Sequence, residues 1–200
     1  MGILLNSDEN IYDKYYGFKP SDDFNKWNYI LKEHNKNISD DSTMTYRLYI
    51  PDEFQDKIKQ LRKLVLDGNR KISKNAGETL WFLYYHPTFV ANFYKSKIGY
   101  RKKICGIYKI SNIKTGKSYI GQSTDIYNRF ATHIKTGCGM LFTNTNNQMY
   151  DDMLEIGAEN FIYQVVEKTK DLNKREVYWI NKYDTYNNGY NLTIGNYKAD

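Results

Sequence analysis

Residues 106–121 read GIYKISNIKTGKSYIG. Two β-rich segments, ICGIYKI and SYIGQS, flank the spacer NIKTGK, whose Asn and Gly suit a tight turn, so the stretch is expected to fold as an antiparallel hairpin. That hairpin brings Tyr108 and Tyr119 towards each other. Tyrosine is common here, 20 in 200 residues, and a bare pair would mean little. Two mirrored triplets are different: Gly-Ile-Tyr and Tyr-Ile-Gly at one fixed spacing arise by chance in roughly one in ten thousand chains of such composition.

Short strand-like runs and helices alternate downstream. A helix is expected from Asp125 to Lys135, followed by a Gly-Cys-Gly loop. A second runs from Asn147 to Glu155 and ends at Gly157, a good C-terminal glycine. NFIYQVVE reads as a strand and DLNKREVYWINKY as a helix, and NNGYNLT as a turn entering a last short strand. The fold class is therefore α+β: residues 101–200 form a small, mainly antiparallel three-stranded sheet flanked by helices.

Residues 1–100 read as a separate, mostly helical domain. Ser21 with Asp22 and Asp23 can cap a helix carrying Phe24, Trp27 and Leu31. Another opens after Pro51, puts Phe54, Ile58, Leu61 and Val65 on one stripe, and stops near Gly68; its opposite face is basic. LWFLYY gives a third apolar stretch up to His86-Pro87. The boundary falls in the basic segment KSKIGYRKK, residues 95–103.

Net charge is +6, with pI near 9.0, and the charge is concentrated. Between Lys95 and Lys135 ten basic residues face Asp125 alone, and between Lys57 and Lys74 seven face Asp67. Such windows suit a polyanion or form solvated faces. The candidate phosphate contacts are Arg62, Lys63, Arg70 and Lys71 in the first window, and Lys102, Lys103, Lys109 and Lys117 in the second.

Two cysteines, Cys105 and Cys138, lack zinc or redox spacing, which fits a reducing compartment. No apolar run approaches a membrane span of about 20 residues, and the first residues, MGILLNSDEN, lack a leader pattern. A cytoplasmic protein without membrane partners is the expectation.

Two further sets of residues carry chemistry. Arg129 and His133 lie four apart in the expected helix and so share a face, beside the stripe of Ile126, Phe130 and Ile134. Glu176 shares its helix face with Leu172, Trp179, Ile180 and Tyr183. A carboxylate there must be protonated, salt-bridged or bound to a metal, because an ionised, unpaired one costs several kcal/mol. Asn191, near Gly189, suits a turn residue bonding its own backbone; His34 and His86 read as structural or exposed.

With Gly106-Ile107-Tyr108 and Tyr119-Ile120-Gly121 followed in order by Arg129, His133, Glu176 and Asn191, residues 104–195 resemble the GIY-YIG nucleases. The resemblance implies a metal-dependent endonuclease. Glu176 would hold Mg²⁺ or Mn²⁺ and Arg129 would hold the scissile phosphate. Tyr108 would act as general base with its pKa lowered by Arg129, the metal or Lys117; Tyr119, His133 and Asn191 would orient the site. Water attack would leave 5′-phosphate and 3′-hydroxyl ends on DNA. One departure is that some homing-type relatives have a histidine after a Gly-Cys pair, where this chain reads Gly137-Cys138-Gly139-Met140. The composition bias and the appended first half lean towards a phage or mobile-element enzyme of homing or restriction type. The alternatives are a non-cleaving DNA-binding regulator on the same fold and a first half that binds protein.

Overall fold

The computed structural model describes residues 45–48, 55–66, 76–77, 80, 103–139 and 147–195. Its elements are β1 (Thr45–Arg47), α1 (Gln55–Leu66), β2 (Gly106–Asn112), β3 (Ser118–Ser123), α2 (Ile126–Gly137), α3 (Gln148–Ile156), β4 (Phe161–Lys168) and α4 (Leu172–Tyr183). The expected helices before residue 45 and after residue 80 lie outside the described residues, as do Lys102, Arg70 and Lys71.

The quoted stretch folds as the hairpin its sequence requires. Asn112 Oδ1 accepts from the backbone N–H groups of Lys114 and Thr115, and Gly116 takes φ 74°, so local chemistry closes the turn. Pairing then sets Tyr108 opposite Gly121 and Ile110 opposite Tyr119. Both triplet glycines are sterically required. A Cβ on Gly106 would collide with the Glu167 carbonyl of β4, and one on Gly121 would collide with the Tyr108 phenol.

β4 pairs with the other edge of β2, antiparallel, with a register shift at Ile107/Tyr108. The three expected strands are present, and β1 adds a fourth from the N-terminal half by pairing with β4, so the order is β1-β4-β2-β3. That half is thus not wholly helical. Nor does the described part of it stand apart: Leu48, Ile58, Leu61, Ala76 and Leu80 are buried in the same core as Phe130, Met153 and Phe161.

Strand alternation sorts the core into two faces. Tyr108, Ile110, Phe161 and Tyr163 pack with α2, α3 and α1, whereas Ile107 and Ile120 pack against Ile180 of α4. Local caps fix the helices: Asp125 accepts from Asn128 N–H at the start of α2, and Asn147 from Met149 N–H at the start of α3. Among the described residues the expected last strand does not form, and residues 192–194 are bends. Among the described residues, no helix is long and apolar enough to cross a membrane.

Candidate active site

Four of the expected side chains meet on the deep face of the sheet. Tyr108 projects from β2, fully buried, and its hydroxyl lies 2.8 Å from His133 Nε2 of α2. Arg129, one turn earlier on α2 and exposed at the surface, donates from Nε to the same hydroxyl at 3.3 Å. Tyr119 closes the group from β3, with its ring centroid 6.2 Å from Tyr108 and 5.4 Å from His133. The i, i+4 spacing of Arg129 and His133 and the hairpin register are together sufficient to assemble this group.

Its electrostatics correct one expectation. Tyr108 was expected to have a lowered pKa, but burial pushes its hydroxyl well above the usual tyrosine value, and Arg129, which pulls the other way, does not overcome burial. Lys117 does not act on it: its Nζ donates to Gln148 at 3.1 Å and sits 5.9 Å from the Tyr190 ring centre. Tyr108 is therefore a protonated phenol with a proton acceptor beside it. His133 is buried as well, and burial, helped by Arg129, lowers its pKa to about 3, so the imidazole is neutral. Its second nitrogen, Nδ1, is 2.8 Å from the hydroxyl of Tyr150 on α3, a residue sequence reasoning missed.

Glu176 reaches the site edge from α4, across β3. It is half-buried, and Oε2 accepts from Gln122 Nε2 at 2.9 Å, while Gln122 also donates to Asn173 at 2.8 Å. Burial raises the Glu176 pKa, opposed by the Gln122 hydrogen bonds and by Arg129. Among the described residues no ion pair neutralises this carboxylate, nor do three or more His, Cys, Asp or Glu side chains cluster as a metal cage. A single, burial-disfavoured carboxylate at the edge fits a hard cation that keeps most of its waters and takes other ligands from a phosphate.

Asn191 does not face the other site groups through its own side chain. Its Oδ1 accepts from Ile120 N–H at 2.8 Å and its Nδ2 donates to Ile120 C=O at 2.9 Å, so one amide pairs both backbone groups between Tyr119 and Gly121. That replaces the strand pairing expected of the last segment. Beside it, Tyr190 donates to Asp152 at 2.5 Å and accepts from buried Asn112 at 2.8 Å, tying the C-terminal segment to the hairpin turn and α3.

The basic residues divide. Arg62 is not a surface contact: it forms a largely buried ion pair with Glu159 at 2.8 Å. Lys109 points to the α4 face, opposite Tyr108, and lies 4.3 Å from the Tyr183 ring centre. Lys63 and Lys103 are exposed. Gln122, the glutamate's partner, was also missed; its position two residues after Ile120 is the available signal, because alternation puts both on the α4 side.

Residues 104–191 match the model of the GIY-YIG catalytic domain. The catalytic domain of intron endonuclease I-TevI, solved as a glutamate-to-alanine mutant, is 25% identical over 48% of this chain and 99% of that one, with a TM-score of 0.40. No curated protein matches the chain.

Proposed function

We propose that residues 104–191, which match the GIY-YIG catalytic domain model, make the chain an endonuclease that hydrolyses DNA phosphodiester bonds with a divalent cation, leaving 5′-phosphate and 3′-hydroxyl ends. The observation that supports this most is the division of labour at the site: a proton-carrying group of Tyr108, Tyr119, Arg129 and His133 lies beside a half-buried glutamate that forms no ion pair with a described residue.

Arg129 has its guanidinium at the surface and its Nε anchored on Tyr108, so its remaining N–H groups reach out to clamp the scissile phosphate and offset the charge that grows on it. Tyr108 orients the attacking water and accepts its proton while releasing its own towards His133. Tyr119 packs its ring against Tyr108 and His133 from β3. Asn191 acts indirectly by holding β3 in register. When bound, Mg²⁺ or Mn²⁺ held by Glu176 supplies Lewis-acid stabilisation of the phosphate and the departing 3′ oxygen.

The N-terminal half is assigned to DNA binding or site choice, with Lys63 and Lys103 as exposed cations near the domain, in a cytoplasmic enzyme of the homing or restriction type from a phage or mobile element. A cleavage assay on mixed DNA substrates with Mg²⁺ tests the reading. Wild type is expected to cut and Arg129→Ala to lose about a hundredfold or more in rate; binding without cutting by wild type on every substrate would make the chain a non-cleaving regulator instead.

A further inference from the structure

We infer that Tyr150 is a relay residue through which the proton of Tyr108 leaves the buried site by way of His133. The inference rests on the hydrolytic reading above and adds a residue and a direction to it.

The geometry is a continuous chain. Arg129 Nε donates to the Tyr108 hydroxyl oxygen, so the Tyr108 O–H is free to donate to His133 Nε2 at 2.8 Å. A neutral imidazole carries one N–H and one lone pair. With Nε2 accepting, the N–H is on Nδ1 and points to the Tyr150 oxygen at 2.8 Å. Tyr150 is half-buried at the start of α3, so its own hydroxyl is the link that reaches solvent. Among the described residues, the groups facing His133 are Tyr108 from β2, Tyr119 from β3, Arg129 from its own helix and Tyr150 from α3. None is a carboxylate, and the one cation among them opposes a charged ring.

That setting decides how His133 can act. An imidazolium is costly here, so His133 is a poor terminal base. It need not become one. As the water oxygen bonds to phosphorus, the water proton passes to Tyr108 oxygen, the Tyr108 proton to Nε2, the Nδ1 proton to Tyr150 oxygen, and the Tyr150 hydroxyl proton to bulk water. The bond to the 3′ oxygen breaks and that oxygen takes a proton from solvent. The imidazole stays neutral and only changes tautomer, and the same chain run backwards resets it after product leaves.

The test uses the full chain. Tyr150→Phe keeps the ring and removes the hydroxyl; kcat is expected to fall about 10- to 100-fold with KM within about twofold. The rate in H₂O/D₂O mixtures should curve for wild type, with several protons in flight, and become linear in the variant. Nitrogen NMR of His133 in wild type should show the proton on Nδ1, a readout independent of cleavage and of how well the variant folds. Wild-type kcat in Tyr150→Phe, or a wild-type proton on Nε2, would overturn the relay alone. Failure of wild type to cut any DNA would overturn the hydrolytic reading and the relay with it.

Discussion

The two faces of the sheet treat charge in opposite ways. On the deep face, Tyr108 and His133 are buried, hydrogen-bonded to each other and hard to ionise. On the α4 face the apolar core is small, Ile107, Ile120 and Ile180, and Glu176 stands half-exposed at its edge, hydrogen-bonded to the Gln122 amide. The difference teaches a division: groups that pass protons are kept neutral by burial, and the group suited to a cation is kept near solvent, where a hydrated ion can reach it.

The strongest way to break that contrast is to remove the carboxylate. Glu176→Ala is expected to lower the Mg²⁺-dependent cleavage rate by at least about a thousandfold. Its unfolding free energy should stay within about 1 kcal/mol of wild type, because no ion pair with a described residue is lost. Rates and chemical denaturation curves measured on the same sample check both. A large loss of stability instead would make Glu176 a structural residue and erase the contrast.

The second test loads only the deep face. Arg62 and Glu159 join α1 to the turn before β4 as a largely buried ion pair, and removing one partner takes a short charge–charge contact from a site with little water. Arg62→Ala should cost about 3 kcal/mol, and Arg62→Ala with Glu159→Ala less. If Arg62 were instead a phosphate contact, the variant would melt normally and bind DNA with a shallower salt dependence.

That pair also marks where the sequence stops being legible. The hairpin could be read because its determinants are local: an Asn side chain on the amides two and three residues on, a positive-φ glycine, and two glycines flanking tyrosines. Arg129 and His133 could be read because one helical turn joins them. β1 could not, since three residues find their partner more than a hundred positions away. Arg62 looked like part of a basic face, yet it lies four residues after buried Ile58, at the margin of the apolar stripe, where a long side chain can turn inward. The pKa of Tyr108 was misjudged for a similar reason: nearby positive charge is visible in sequence, whereas depth of burial is not.

Acid sharpens the comparison next. His133 has a folded pKa of about 3, below the unfolded value of 6.5, so between those values the unfolded chain binds the extra proton. Its contribution to stability is complete above pH 6.5 and is lost as pH falls towards 3, at up to about 1.4 kcal/mol per pH unit. In denaturant titrations, wild type should lose stability from pH 6.5 to 5 more steeply than His133→Gln. Equal slopes would mean that the imidazole is not held neutral by burial.

The mildest intervention acts on the strand that serves both faces. Asn191 pairs both backbone groups of Ile120, and the residues around it alternate: Tyr119 and Gly121 face the tyrosine cluster, Ile120 and Gln122 face α4. Asn191→Ala removes two hydrogen bonds at an edge that water can partly re-solvate, a cost of about 1–2 kcal/mol. Since β3 then shifts under both Tyr119 and Gln122, the rate should fall at saturating Mg²⁺ and the Mg²⁺ concentration for half-maximal rate should rise together. A change in only one of the two would show that the faces move independently, and that Asn191 serves a single face.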